Sequence, residues 1–152
     1  MSKRVVLWGY VVELAASGAI LLCLCLWLGA NSVVSFLRGA AIDIATLFGS
    51  VMLAASLAFL WSFYTKADTD FYRWLEGRGA FAVYLRATGY AVAVSFASTG
   101  TLVVLKYIEN AYFGLLAMYL LLLAMFNLYT LVANVMGLMR LNAMYNHAKH
   151  DI

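Results

Sequence analysis

Residues 111–140 read AYFGLLAMYLLLLAMFNLYTLVANVMGLMR and carry no charged side chain before Arg140. A helix needs about 20 mostly apolar residues to cross the hydrocarbon core of a bilayer. Three further segments meet this requirement, at 5–28, 40–63 and 81–105. All four are continuous apolar runs without the alternation of apolar and polar residues that a transmembrane β-strand requires. The sequence therefore predicts an all-α polytopic membrane protein, a bundle of four transmembrane helices.

The composition supports a chain that lies mainly in the membrane. Its 152 residues are 66% hydrophobic and 11% charged, whereas about a quarter of the residues in a soluble domain are charged. The expected organisation is one transmembrane domain with a cytoplasmic loop at 64–80 and a cytoplasmic tail at 141–152. The first apolar run, about 24 residues, is longer than the core of a signal peptide, which predicts a retained signal anchor.

The positive charges predict the orientation of the bundle. Arg38 and Lys106 fall on one side, and the remaining eight of the ten basic residues fall on the other, namely Lys3, Arg4, Lys66, Arg73, Arg78, Arg86, Arg140 and Lys149. The positive-inside rule places the richer side, and with it both termini, in the cytoplasm. The net charge of +3 is then a consequence of topology, and no direct nucleic-acid partner is expected.

The third span carries two rows of small residues at four-residue spacing. One row is Gly89, Ala93, Ala97 and Thr101, and the other is Ala87, Ala91, Ser95 and Thr99. Small side chains let helix backbones approach closely, which is the main source of helix association in lipid. The rows predict neighbours on both faces of this helix, either within the chain or across a homo-oligomer interface.

Polar residues within the spans are the second feature that predicts contacts with neighbouring groups. Asn127, Thr130, Asn134 and Gly137 share one stripe of the fourth span,, which predicts either interhelical hydrogen bonds or the lining of a polar pore. Glu13 lies about two turns into the first span, and Asp43 near the outer end of the second. Glu13 could be protonated, hydrogen-bond to the Asn stripe, or reach the cytoplasmic interface.

The central loop reads TKADTDFYRWLEGRGA at 65–80. Asp68 or Thr69 could cap a short helix that ends at Gly77. One face of this helix would carry Phe71, Trp74 and Leu75, a pattern typical of the lipid headgroup layer. Arg73, Arg78 and Arg86 would then approach anionic lipid or an acidic partner. An ordinary interfacial elbow and a dedicated docking loop both fit.

No enzymatic motif is present, so the chain is expected to be non-enzymatic and to need no cofactor or metal. It lacks HExxH, GxSxG, the P-loop and the Gly-rich dinucleotide fingerprint,. Asp68 with Asp70, and His147 with His150, could each begin a metal site, but neither pair has a further convergent ligand. Cys23 and Cys25 are interpreted as small apolar side chains.

Three stretches carry a resemblance to a known group of proteins: FGSVMLAASLAFLWSF at 48–63, GYAVAVSFASTGTLVV at 89–104, and the final MRLNAMYN at 139–146. With the basic elbow between them, they resemble the small four-span inner-membrane components of bacterial phage exclusion and phage defence. Examples are the membrane component of the Rex system and component A of the Kiwa system. The resemblance implies an inner-membrane oligomer that senses phage attack or depolarises the membrane, together with a cytoplasmic effector.

Two other functions remain open at the level of sequence. One is an ion channel or a small proton-coupled transporter that uses Glu13 and the Asn127 to Asn134 stripe. A lone glutamate in the first span is also a feature of small multidrug transporters, although this chain is longer and has a wider central loop. The other is an immunity protein, or a protein that excludes incoming conjugating elements.

Overall fold

The computed structural model describes residues 3–150, and the side chains of residues 9–147. Apart from short connections, this part of the chain is helical, and it holds no β-strand, as the sequence predicts. The elements are α1 (Lys3–Leu28), α2 (Ala30–Ile44), a π-helical turn (Ala45–Gly49), α3 (Ser50–Lys66), α4 (Asp70–Gly77), α5 (Phe81–Leu105) and α6 (Ala111–His150).

Four helical stretches are long and apolar enough to cross a membrane: Gly9–Leu28, Ala30–Lys66, Phe81–Leu105 and Ala111–His147. The prediction of an all-α fold with four such helices is confirmed. The second stretch is one continuous rod made of α2, the π-helical turn and α3. At 1.5 Å per residue, its 37 residues span about 55 Å, more than the roughly 30 Å hydrocarbon core of a bilayer.

The connection between the first two spans is shorter than the sequence suggests. Residues 29–39, which lie between the first two predicted spans, are helical from Ala30 onward, and only Gly29 separates α1 from α2. Gly29 has a φ of +82°, a backbone conformation that glycine adopts without steric cost. The polar side chains in this segment lower its hydropathy without ending the helix. Arg38, for example, donates from Nη2 to the main-chain oxygen of Ile108 at 3.0 Å.

The centre of the bundle is the antiparallel pair α5 and α6. Helix α1 packs mainly on α6, α3 packs on α5, and α2 contacts both α5 and α6 near their connection. Two glycines allow close approach. A Cβ added to Gly114 of α6 would lie 2.5 Å from Cγ1 of Val34, and one added to Gly49 would lie 2.5 Å from Oγ1 of Thr99.

Only one of the two small-residue rows of α5 is used for packing within the chain. Ala91 and Ser95 of the second row are buried. In the first row Ala93 and Ala97 are exposed, and a Cβ placed on Gly89 would meet no atom within 4 Å. The first row therefore leaves Ala93 and Ala97 uncovered on the outside of the bundle, while Gly89 and Thr101 at its ends are half-buried.

Candidate functional site

Helix α1 brings a buried carboxyl group against a buried amide of α6. Glu13 is 9% exposed and Asn127 is 3% exposed. Nδ2 of Asn127 donates to Oε2 of Glu13 at 3.1 Å and to the main-chain oxygen of Leu123 at 3.3 Å. Of the arrangements open to Glu13 from the sequence, the structure has the hydrogen bond to the Asn stripe. This contact supplies each polar group with the partner it needs away from water.

Tyrosines of three helices surround this pair. The rings of Tyr10 in α1 and Tyr90 in α5 meet edge to face, with their centroids 4.6 Å apart. The hydroxyl of Tyr119 in α6 donates to the main-chain oxygen of Leu14 at 3.3 Å. These contacts hold α1 against both central helices. These tyrosines are not among the site residues predicted from the sequence. Tyr10 stands three residues before Glu13, a spacing that places both on one helix face.

A cavity of about 200 Å³ adjoins the pair. From α6 it is lined by Asn127, Thr130 and Asn134, so three members of the predicted stripe share one site. The fourth, Gly137, is not part of the lining. The full lining is Gly9, Tyr10, Glu13, Val83, Tyr84, Ala87, Ala91, Asn127, Thr130, Leu131 and Asn134.

The cavity runs from the Glu13 and Asn127 pair toward the end of the bundle that holds α4. Gly9 precedes Glu13 by one helical turn, and Val83 precedes Ala91 by two,. The eight residues from Ala91 back to Val83 correspond to about 12 Å along the helix axis. Glu13 and Asn127 thus lie at the deep end of a pocket that extends toward one end of the spans.

The described residues form no metal centre. No group of three or more His, Cys, Asp or Glu side chains converges among them. The side chain of His150, paired with His147 in the sequence analysis, lies outside the described part of the chain. The same holds for the side chains of Lys3, Arg4 and Lys149, which entered the prediction of orientation.

The central loop forms a second candidate site, built on the short helix α4. Thr69 is at the N-cap position, but its hydroxyl donates back to the main-chain oxygen of Lys66 at 2.9 Å instead of capping the helix. Phe71 and Leu75 are buried with Phe63 of α3 and Leu138 of α6. Helix α4 therefore packs between the ends of α3 and α6.

This packing corrects one expectation for the loop. Phe71 is only 7% exposed, and the rings of Trp74 and Tyr145 lie 5.9 and 5.8 Å from it. Phe71 is a core residue of the chain and is not available to lipid headgroups or a partner. Burial also raises the pKa of the neighbouring Tyr72 phenol,.

Exposed charges of both signs lie on and beside α4, the acidic ones being Asp68, Asp70 and Glu76. Arg73, Arg78 and Arg86 are exposed, and Cζ of Arg78 lies 4.3 Å from the ring centroid of Trp74, within the range of a cation–π interaction. We call the surface formed by Arg73, Trp74, Arg78 and Arg86 the basic elbow surface.

The end of α6 also contributes to this region. The sequence predicts a cytoplasmic tail at 141–152, into which the fourth and longest span could project as a helix, and α6 continues to His150. The contacts of Tyr145 with Phe71 and Trp74 were not predicted. Tyr145 follows Leu138 by seven residues, which puts the two on one helix face. That spacing is the signal that could have identified Tyr145.

Comparison with protein-family models, with curated proteins and with solved structures finds no match to this chain.

Proposed function

We propose that the protein is a non-enzymatic, homo-oligomeric membrane module that docks a cytoplasmic partner on the basic elbow surface. It would act as the sensor or anchor of a bacterial phage-defence or phage-exclusion system. The observation that carries this proposal is the packing of α4 between α3 and α6. A linker that only joins two spans does not need a buried core of its own, whereas this one buries Phe71 and Leu75.

This packing supports docking because it holds the basic side chains in place before a partner binds. Arg78 rests on Trp74, and α4 itself is held by the packing of Phe71 and Leu75. Ordering a binding surface in advance lowers the entropy lost on association. A surface of exposed arginines favours an acidic partner surface and accelerates encounter with it.

The orientation is part of the proposal. With both termini in the cytoplasm of a bacterial inner membrane, the basic elbow surface meets soluble cytoplasmic proteins. Green fluorescent protein fused after residue 152 is then expected to fluoresce, and alkaline phosphatase fused at the same position is expected to be inactive. The opposite pair of results would place α4 outside the cytoplasm and would contradict docking of a cytoplasmic partner.

Charge reversal tests the docking surface directly. We expect Arg73→Glu with Arg78→Glu to reduce recovery of the cytoplasmic partner by about fivefold or more, because like charges would now face each other. Quantitative mass spectrometry of the affinity-purified complex measures this recovery. Lys106→Glu is the matched control, since Lys106 is also exposed but lies in the α5 to α6 connection at the other end of the bundle. Equal recovery from both variants would rule out the basic elbow surface as the docking site.

Ion conduction or proton-coupled transport is a second candidate, favoured by the Glu13 to Asn127 contact and by the adjoining cavity, which Thr130 and Asn134 also line. The purified protein in liposomes would then give an ion or proton flux that is lost in Glu13→Gln. Liposomes that remain silent with the wild-type protein would remove this candidate and leave the docking module unaffected.

A further inference from the structure

We infer that the groove between the ends of α3 and α6, beside α4, binds one phospholipid whose headgroup is zwitterionic and ends in a primary ammonium group, namely phosphatidylethanolamine. The volume of the groove is about 460 Å³, within the range of roughly 300–1,000 Å³ that is usual for small-molecule sites. The inference goes beyond the docking function, because none of the described residues that line the groove belongs to the basic elbow surface. It also holds whichever side of the membrane α4 faces.

The first argument is the position of the groove at the end of the spans. Phe63 of α3 packs in one cluster with Leu138 of α6, so the two helices are level with each other there. The groove begins about one turn before this level, at Phe59 and Val135, and reaches Lys66 about one turn after it,. Lys66 is also the last residue of the second candidate span, and lysines near the ends of spans extend toward the headgroups. The groove therefore crosses from the hydrocarbon layer into the headgroup layer.

The second argument is that the groove is open along its side and changes in polarity along its length. Met139, in its apolar part, is 66% exposed, and Asn142 and Asn146, in its polar part, are exposed as well. The eleven residues from Val135 to Asn146 correspond to about 16 Å along the axis of α6,. A phospholipid entering from the side would lay an acyl chain along the apolar part and its headgroup along the polar part. A water-soluble ligand would leave the apolar part uncovered.

The third argument is the charge of the lining. Lys66 and Asp70 are the charged residues among the described residues that line the groove, one of each sign. A lysine ammonium binds phosphate, but a carboxylate beside it disfavours a headgroup that carries only negative charge, such as that of phosphatidylglycerol. A zwitterionic headgroup places its phosphate beside Lys66 and its ammonium beside Asp70. Because a carboxylate accepts several hydrogen bonds at once, Asp70 can do this together with the interaction that it already makes within the chain.

The acceptors at the polar end favour ethanolamine over choline. The hydroxyl of Thr69 donates its proton to the main-chain oxygen of Lys66, so its lone pairs are left as acceptors. The amides of Asn142 and Asn146 add carbonyl oxygens to the same end of the groove. A primary ammonium group has three N–H donors for such acceptors, whereas the trimethylammonium group of phosphatidylcholine has none.

Native mass spectrometry of the full-length protein, released from detergent micelles, tests the inference. The dioleoyl forms of phosphatidylethanolamine, phosphatidylcholine and phosphatidylglycerol are titrated separately, so that the lipids differ only in the headgroup. We expect one phosphatidylethanolamine per chain, bound about fivefold or more tightly than either other lipid, the effect of one charge-assisted hydrogen bond. Glycerophosphoethanolamine, which has the same headgroup without acyl chains, should compete only at much higher concentration. Equal affinity for the three lipids would overturn the inference, and so would equal competition by the soluble headgroup.

Two substitutions separate the roles of the two charges. Asp70→Asn should abolish the preference for phosphatidylethanolamine over phosphatidylcholine and leave the affinity for phosphatidylcholine unchanged. Lys66→Gln should weaken both lipids by about fivefold, the upper range for an exposed ion pair. Lys106→Gln is the matched control, since Lys106 is exposed at the other end of the bundle, and it should weaken neither. A preference that persists in Asp70→Asn, or binding that is unchanged in Lys66→Gln, would rule out the assigned headgroup contacts.

Ser62→Leu tests the groove without changing a charge, and its result stands even where Asp70→Asn disturbs α4. Ser62 lines the groove, so a leucine there fills part of it, and leucine is well suited to an apolar helix. The affinity for phosphatidylethanolamine should fall by about as much as in Lys66→Gln. Thr65→Leu is the matched control, because Thr65 is exposed on the same helix and does not line the groove. Equal affinities of these two variants would place the bound lipid outside the groove.

Discussion

The middle of the bundle and its α4 end both have an apolar core, but they differ in what is buried beside it. In the middle, buried polar groups such as Glu13, Asn127 and Ser95 accompany aliphatic clusters that include Leu102 and Leu123. At the α4 end the core consists of Phe63, Phe71, Leu75 and Leu138, covered by further aromatic rings. In a soluble protein, polar residues such as these are mostly exposed.

The difference follows from the solvent on each side. Lipid chains are as apolar as leucine, so burial of apolar side chains does not drive helix association there, and close packing and hydrogen bonds take its place. Helix α4 lies outside the four candidate spans, where water makes apolar burial favourable. Truncation of a buried apolar residue should therefore cost both burial and packing at the α4 end but mainly packing in the middle, where substitutions of small or polar residues should matter most.

The largest effect is expected from Phe71→Ala. Truncation of a buried phenylalanine costs about 3–5 kcal/mol, and here it would also release α4 from α3 and α6. Unfolding by sodium dodecyl sulfate in mixed micelles measures the free energy. Tyr64→Ala is the control, because Tyr64 is 76% exposed and its loss leaves no cavity. Equal effects of the two changes would mean that the α4 end contributes no core of its own.

The second largest effect is expected from Gly114→Ala, which should lower the free energy of unfolding by about 1–3 kcal/mol because the site becomes overpacked. The new methyl group would meet Val34, whose β-branched side chain has little freedom to move away,. Gly100→Ala is matched to it, since a Cβ there meets nothing within 4 Å and alanine favours the helix by about 0.5–1 kcal/mol. The two changes should thus shift the unfolding free energy in opposite directions. A shift in the same direction would contradict close packing of α2 on α6.

Asn127→Leu is expected to lower the free energy of unfolding by about 0.5–2 kcal/mol, the range of interhelical hydrogen bonds in membranes. The leucine leaves Glu13 without the amide that donates to it. Asn134→Leu should cost less, because Asn134 is half-buried in the cavity wall. The double variant tests the whole stripe. If it kept the wild-type thermal stability and oligomer size in detergent, the stripe would have no part in holding the helices together.

The smallest effect on the fold is expected from Ala93→Leu. Ala93 is exposed on the uncovered row of α5, so the unfolding free energy of one chain should change by less than about 0.5 kcal/mol. Under the proposed homo-oligomer the same change should shift the particle mass in light scattering toward smaller species, because the row would no longer admit a close neighbour. An unchanged mass would locate the oligomer contact elsewhere on the chain.

The four-helix fold was predictable because membrane spanning depends on hydropathy over about 20 residues, a local property of the sequence. Other features depend on which helices become neighbours, and neither local hydropathy nor residue spacing shows that. Both small-residue rows of α5 have the same spacing, yet only the row with Ala91 and Ser95 is covered. The covered row is the one that α3 and α6 approach.

The candidate site was predictable in part for the same reason. Periodicity alone placed Asn127, Thr130 and Asn134 on one stripe, and all three line the cavity. That Glu13 pairs with Asn127 depends on the depth of α1 relative to α6. The helical start of α2 at Ala30 was missed because Arg38 and its polar neighbours lower the local hydropathy, and that measure does not register the hydrogen bond from Arg38 to Ile108.

The length of α6 has a mechanical consequence. The helix runs without a break through Asn127 and Tyr145, so these residues sit about 27 Å apart on one stiff rod. A stiff rod transmits rotation: a twist about its axis at Asn127 turns Tyr145 by the same angle and changes how that ring presses on Phe71. Rotation of α6 about its own axis would then alter both the pocket beside Glu13 and the outer face of α4.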